Sequence, residues 1–287
     1  MSRVAYVNGR YVPHGQAVVH VEDRGFQFAD GVYEVWAVLG GRLADAPGHT
    51  ARLERSLREL DIAAPMSPAA LAMVVRETVR RNRVRDGLAY LQITRGTARR
   101  DHAFPPPGTP ATVVVTAKPL DFAAAEARAE AGVRVITTPE TRWARCDIKS
   151  VSLLPNVLAK QAAKQAGAAE AWFVDGDGLV TEGSSTSAWI VDAEGVLRTR
   201  DLAANILPGV TRNTLIDLAR GLQMRVDQTP FSVAEACAAR EAFFTAASAF
   251  ITPVTAIDGR PIGDGRPGPV TRRLRALYVE QARTNAA

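Results

Sequence analysis

Arg142-Trp143-Ala144-Arg145-Cys146-Asp147-Ile148-Lys149-Ser150 lies at the middle of the chain, and the rest of the sequence is best read outward from it. A lysine placed among cationic neighbours and apolar residues can have its pKa lowered, and its free amine is then a nucleophile towards carbonyl carbon. Most lysines do nothing but meet solvent, so the stretch gains weight from rarity. The chain has four lysines, Lys118, Lys149, Lys160 and Lys164, among many arginines.

Downstream of this stretch, Pro155 suits the first turn of a helix running to Gly167, which suits the position just past its end. Ala171–Val174 and Leu179–Thr181 flank Asp175-Gly176-Asp177-Gly178 and read as a hairpin, as do Ala188–Val191 and Val196–Thr199. Thr211–Leu222 and Pro269–Arg283 have helical periodicity; Ala242–Thr245 and Ile251–Ile257 read as strands. Upstream, Val4–Val7 and Tyr11–Val12 flank an Asn8-Gly9 turn, a strong hairpin signal. Gly31–Leu39 reads as a strand turning at Gly40-Gly41, and His49–Leu60 and Pro68–Arg81 read as helices, the second with Ser67 as N-cap. Leu88–Arg95 and Thr112–Ala117 are β-branched strands around a loop, Arg99 to Pro110, holding four prolines and a glycine. The expectation is an α/β (α+β) chain of two domains, 1–120 and 132–287, joined by a linker at 121–131, with a ligand cleft between them.

At 287 residues, 47% hydrophobic and 23% charged, the chain can bury a large core, and its composition argues against disorder. Its net charge of +5 raises nucleic acid as a partner, but the arginines are scattered among acids. The dense run Arg76 to Arg85 alternates with apolar residues as a solvated helix face would. A nucleic-acid binder would be colourless and bind DNA in a salt-sensitive way. No apolar run has membrane-spanning length, and the start lacks a signal-peptide core. Cys146 and Cys237 are far apart and read as reduced thiols of a cytoplasmic protein; no metal site is expected. Gly263-Asp264-Gly265-Arg266-Pro267-Gly268 fits a dinucleotide fingerprint, but no βαβ unit can follow it and Pro267 removes a donor, so it is read as a surface turn.

Three further segments carry polar chemistry. Thr181-Glu182-Gly183-Ser184-Ser185-Thr186-Ser187 offers a carboxylate and a row of hydroxyls. Asn205-Ile206-Leu207-Pro208-Gly209-Val210-Thr211 leads into a helix whose first amides could cradle an anion, although an N-capping threonine explains the spacing equally well. Arg100-Asp101-His102 sits in the proline-rich loop, where an arginine either forks onto a carboxylate or stays solvated. An amine nucleophile, a carboxylate, an anion cradle and a carboxylate clamp fit pyridoxal-phosphate (PLP) chemistry without proving it.

With these residues in view, the chain resembles the fold-type IV PLP enzymes, the class IV aminotransferases, and within them those acting on D-amino acids. The resemblance runs from Tyr6-Val7-Asn8-Gly9 to the last helix. It is most specific over Glu22-Asp23-Arg24-Gly25-Phe26-Gln27-Phe28-Ala29-Asp30-Gly31-Val32-Tyr33-Glu34-Val35, Arg145–Ser150, Leu153 to Gln161 and Thr181–Ser185. It implies a small N-terminal α/β domain, a larger C-terminal pseudo-barrel domain and a homodimer. It also implies PLP-dependent transamination of a D-amino acid such as D-alanine with a 2-oxo acid such as 2-oxoglutarate.

The resemblance gives each residue an expected role. Lys149 is the Schiff-base lysine and proton shuttle, and Glu182 the partner of the pyridine nitrogen. Arg52, Val210, Thr211, Ser185 and Thr186 bind the cofactor, and Leu207 packs on its ring. Tyr33, Arg100, His102 and Arg142 face the substrate, with Arg100 and His102 reaching in from the other subunit to hold its α-carboxylate. One departure is Ala247, which stands where the family often has a phosphate-binding threonine, so the Ala247 amide or the Ser248 hydroxyl is a candidate stand-in. Phe250 replaces a more polar residue and is expected to narrow the pocket. Alternatives on the same fold are an (R)-selective amine transaminase, a branched-chain L-aminotransferase and an aminodeoxychorismate lyase; Arg100-x-His102 favours the D-amino-acid reading.

Overall fold

The computed structural model describes residues 3–202 and 205–286. The chain divides into two compact units. One comprises Met1–Asp121, Ile148–Ser152 and Ala282–Ala287; the other comprises Phe122–Asp147 and Leu153–Gln281.

The first unit opens with β1 (Val4–Val7) and β2 (Arg10–Pro13). Asn8 and Gly9 between them hold φ of 45° and 90°, the left-handed pair that a two-residue hairpin requires. Then come α1 (Arg24–Phe28), β3 (Gly31–Leu39), β4 (Arg42–Leu43), α2 (Ala46–Glu59), α3 (Pro68–Arg81), β5 (Gly87–Thr94) and β6 (Thr112–Pro119). The strands form one antiparallel sheet in the order β2-β1-β6-β5-β3-β4. Leu53 and Leu57 of α2 and Leu71, Val75 and Val79 of α3 share a buried cluster with Val32, Leu91, Ile93 and Val115 of the sheet. Burial of each such side chain stabilises the unit by roughly 1.5–3 kcal/mol. The basic run at the end of α3 is a solvated face, as its alternation suggests: Arg76, Arg80 and Arg81 are exposed, and Glu77 pairs with the last two.

The second unit holds α4 (Phe122–Ala131), β7 (Val133–Pro139), α5 (Leu154–Gln165), β8 (Glu170–Val174), β9 (Val180–Gly183), β10 (Ser187–Val191) and β11 (Leu197–Thr199). It continues with α6 (Val210–Gly221), β12 (Val226–Asp227), α7 (Val233–Ala238), β13 (Glu241–Ala246), β14 (Phe250–Ile257), β15 (Arg260–Pro261) and α8 (Pro269–Thr284), whose last residues belong to the first unit. Its sheet follows the path β12-β11-β10-β13-β14-β7-β8-β9, with β15 paired to β14. β7 runs parallel to both β14 and β8, and the hairpins expected from the sequence, β8–β9 and β10–β11, are antiparallel.

The division differs from the sequence expectation in two places. The segment 121–131, expected as a linker that could be a helix, is mostly α4 and belongs to the second unit; its Ala125 and Ala129 are buried and its Glu126 takes two hydrogen bonds from Arg275. Small residues on one face of α4 let it lie on the second unit instead of spanning open solvent. The strand-like segment Ile148–Ser152 belongs to the first unit because it pairs with β3. The Tyr33 amide donates to the Lys149 carbonyl (3.0 Å) and the Val151 amide to the Gly31 carbonyl (3.0 Å), with Ile148 in the first core. The glycine-rich 263–268 is a turn into α8, and Gly268 is required there because a Cβ would overlap the Glu241 carboxylate. That carboxylate accepts from the first amides of α8, Val270 (2.9 Å) and Thr271 (2.8 Å).

Candidate active site

Lys149 is held by backbone alone. Its carbonyl is bonded to β3, its amide donates to the Ser56 hydroxyl (3.3 Å), and its neighbours Ile148 and Ser150 are buried. The ammonium is thus carried on a fixed main chain, with Nζ 4.3 Å from the centre of the Tyr33 ring. Tyr33 stacks in turn on Tyr90, 5.8 Å between centroids, and burial pushes the Tyr90 hydroxyl up to about 12. The arginines that flank Lys149 in sequence are taken by carboxylates: Arg145 by Asp147 (2.9 Å), Arg142 by Glu140 and Glu182.

Next along β3, Glu34 is fully buried and meets two residues one turn apart on α2. Arg52 donates to it through Nε (2.7 Å) and Nη2 (2.8 Å), and His49 Nδ1 lies 2.7 Å away. Burial works against the Glu34 charge, but Arg52 and His49 outweigh it and hold the carboxyl down at about 2. An ionised carboxylate only accepts, so the His49 proton sits on Nδ1. Arg52 is therefore aimed by Glu34 as well as by its helix.

Arg100 and His102 lie on the exposed loop after β5. The Arg100 guanidinium is 4.8 Å from the Phe28 ring and the His102 ring meets the same phenyl edge-on at 5.5 Å. Among the described residues no carboxylate pairs with Arg100, which leaves its planar fork available to an incoming one.

In the second unit Glu182 lies one residue before the end of β9, buried, and both its oxygens accept from the Leu207 amide (3.3 and 3.2 Å). Arg142 donates to Glu182 and to both oxygens of Glu140 (2.9 and 2.6 Å), and reaches Thr181 and the Asn205 carbonyl. Burial opposes the charge of Arg142, yet Glu140 and Glu182 raise its pKa. Its three guanidinium nitrogens are engaged, and it braces Glu182. Cys146 is buried, donates to the Trp143 carbonyl (3.0 Å), and is pushed up to about 12 chiefly by burial, an inert thiol.

Beyond Glu182, Gly183 permits the turn, because a Cβ would overlap the Thr186 hydroxyl. Thr186 Oγ1 is buried without a partner, and so is Asn205 Oδ1. The hydroxyls of Ser184 and Ser185 (the latter at 3.0 Å) donate to the fully buried Glu170. α6 begins at Val210 and Thr211 behind Gly209, with no side-chain cap, whereas α8 has Glu241 on its first amides. Thr211 is buried and its hydroxyl is 3.4 Å from that of Tyr278. An uncapped helix start and the unpartnered Thr186 hydroxyl fit an anionic group, and a carboxylate fixed by an amide and a guanidinium fits a protonated ring nitrogen. Phe250 is packed in its own unit, its ring stacked on Phe122 (5.4 Å) and tilted on Tyr278 (5.7 Å), while Ala247 lies in the turn before β14.

Sequence reasoning passed over Glu34, Glu140, Glu170 and Arg24. The H-x-x-R spacing of His49 and Arg52 was a usable signal for the first, since it sets two basic groups on one helix face. The others are joined by tertiary contacts that no spacing announces.

Residues 31–257 match the family model described as amino-transferase class IV. The chain is 40% identical over 282 residues to the D-alanine aminotransferase of Bacillus licheniformis, covering 96% of this chain and 98% of that one. It is 37% identical over 278 residues to the D-alanine aminotransferase of Staphylococcus aureus (strain MSSA476), covering 96% and 97%. Among solved structures, the branched-chain amino acid aminotransferase of Escherichia coli matches with a TM-score of 0.90 at 25% identity, covering 100% of this chain and 97% of that one. The branched-chain amino acid aminotransferase of T.th. with pyridoxamine 5'-phosphate matches with a TM-score of 0.90 at 30% identity, covering 99% and 95%.

Proposed function

Since the chain belongs to the class IV aminotransferases, with the fold-type IV architecture and PLP as cofactor, we propose that it moves the amino group of a D-amino acid such as D-alanine to a 2-oxo acid such as 2-oxoglutarate, as a cytoplasmic homodimer. Bound PLP supplies an electrophilic carbon and a ring that takes up electron density from the substrate Cα.

The remaining work falls to this chain's residues. Lys149 would anchor the cofactor and, released as a free amine, would take the substrate Cα proton and deliver it to the cofactor's former carbonyl carbon, on the far side of the amino nitrogen; a lysine on a sheet-bonded main chain can do this with little reorganisation. Glu182 keeps a proton on the pyridine nitrogen, and the Leu207 amide and Arg142 hold Glu182 in place. Leu207 packs on the ring. Val210 and Thr211 offer amides to the phosphate, Thr186 its unpartnered hydroxyl and Arg52 its charge, while Ser185 would have to leave Glu170 to join them. Tyr33 fixes the Lys149 amine from one side. The Ala247 amide or the Ser248 hydroxyl stands in for the threonine seen in relatives.

The D-amino-acid reading is carried by Arg100, a guanidinium without a carboxylate partner among the described residues, two residues from His102 on an exposed loop. If this pair holds the substrate carboxylate, it fixes which substituent of Cα faces Lys149. Arg100→Ala then raises the KM for D-alanine by about ten- to a hundredfold, the value of a charge-assisted pair of hydrogen bonds. Wild-type kinetics in that variant, or faster turnover of L-leucine than of any D-amino acid by the native enzyme, would favour the branched-chain reading.

A further inference from the structure

Arg24 is almost fully buried at the start of α1, and each of its guanidinium nitrogens has a partner. Nε donates to Asp30 (2.8 Å), Nη1 to the Asp101 carbonyl (2.7 Å) and Nη2 to the His102 carbonyl (3.3 Å). Those two carbonyls are the only backbone groups of residues 99–104 that bond outside the loop among the described residues. The contact is therefore to the main chain from which Arg100 and His102 project on either side of Asp101.

Two observations set this arrangement apart from an ordinary buried ion pair. Phe28, one turn along α1, carries three groups at once: Arg24 at 4.9 Å, Arg100 at 4.8 Å and the His102 ring at 5.5 Å. Asp30 is shared, accepting also from Arg95 Nε (2.8 Å). Arg95 in turn donates to the Asp61 and Leu60 carbonyls and covers the Phe104 ring at 3.6 Å, further along the same loop. One carboxylate thus serves two guanidinia, and Arg100 adds a third positive group with no acid of its own.

We propose that Arg24 is a positioning residue for the reaction: it holds the backbone of residues 101–102 so that Arg100 and His102 are set to receive the substrate carboxylate. This rests on the reading of Arg100 and His102 as the carboxylate-holding pair. Removing Arg24 leaves Asp30 still bonded to Arg95, so the carboxylate is not stranded and the unit keeps its core.

The test compares wild-type, Arg24→Gln, Arg24→Lys and Arg100→Ala holoenzymes. It measures bound PLP by absorbance, kcat and KM for D-alanine, and the rate of tryptic cleavage after Arg99 and Arg100. Arg24→Gln is expected to keep its PLP, to raise the KM for D-alanine about tenfold with kcat within about threefold, and to be cut faster in the loop. Arg24→Lys, able to reach only part of the acceptor set, is expected to fall between. A folded Arg24→Gln enzyme with unchanged KM, or with raised KM and unchanged cleavage, overturns the proposal while a raised KM in Arg100→Ala leaves the clamp reading intact. An unchanged KM in Arg100→Ala overturns the clamp reading and the proposal with it. Should Arg24→Gln not fold, Phe28→Ala removes the ring shared by Arg24, Arg100 and His102; the same rise in KM and cleavage is expected, and its absence overturns the proposal.

Discussion

Replacing Glu34 by glutamine tests whether Arg52 is a phosphate ligand or only an internal structural charge. The side chain keeps its shape, but a carboxylate that accepts from Arg52 twice and from His49 once becomes a neutral amide with one acceptor atom. Arg52 then loses the Glu34 charge, and breaking a buried pair of this kind costs about 3–5 kcal/mol. In a chain of this size each kcal/mol moves the melting temperature by about 2 °C, so the PLP-free enzyme should melt roughly 6–10 °C lower. PLP stabilises whichever form it binds, and more strongly where its phosphate supplies the missing negative charge. The deficit measured by circular dichroism at one scan rate should therefore shrink when saturating PLP is added. A PLP-free variant melting within about 2 °C of wild type would refute the buried-charge argument. An equal deficit with and without PLP would refute the phosphate role of Arg52.

Borohydride reduction of the holoenzyme should fix the cofactor to Lys149, and Lys149→Ala should lose transamination; an adduct on Lys160 or Lys164 by mass spectrometry contradicts the assignment. Glu182→Gln should slow Cα proton removal, seen as a larger deuterium isotope effect on kcat with Cα-deuterated D-alanine, while PLP remains bound; unchanged turnover would end its assigned role. For the pH dependence of folding, Glu34 is held at about 2 against an ordinary 4.5, so its contribution is fully present above pH 4.5 and is lost as pH falls through about 2. Glu34→Gln should accordingly flatten the acid limb of the wild-type stability curve, and an unchanged acid midpoint would speak against this pair as its source. Gly183→Ala should disturb the turn beyond Glu182, lowering PLP affinity measured by equilibrium dialysis, because the new Cβ overlaps the Thr186 hydroxyl.

Most of the elements were legible because local chemistry and tertiary need agree. Asn8-Gly9 can only turn, Ser67 caps α3 as its position suggests, and Pro155 with Gly167 brackets α5. Where length or partner decides, the sequence is silent. α1 has five residues, too few for a period, and is fixed by the Asp23 cap, which also accepts from the Thr94 hydroxyl. α7 has only six residues, although its Ser232–Glu235 capping box is a signal the sequence carries. At the candidate site, the sequence names the motif residues but not the charge partners that hold them. Nothing in the spacing says that Arg142 ends on Glu140 and Glu182, or that Arg24 ends on a loop more than seventy residues away. Nor does the motif say that Phe250, expected to narrow the pocket, stacks on Phe122 with φ of +56°.

The short segment Ile148–Ser152, bonded to β3 although its flanks belong to the other unit, bears on how such a chain can be taken apart. The covalent thread passes from one unit to the other four times, at 121/122, 147/148, 152/153 and 281/282. A gene fragment ending at residue 121 would encode a sheet whose β3 is missing the neighbour that carries the reactive amine. The complementary fragment would carry that amine on a stretch with nothing to bond to. Domain shuffling, split-reporter designs and single-cut circular permutants should therefore fail at the obvious boundary, and the lysine cannot be inherited separately from the sheet that holds it still.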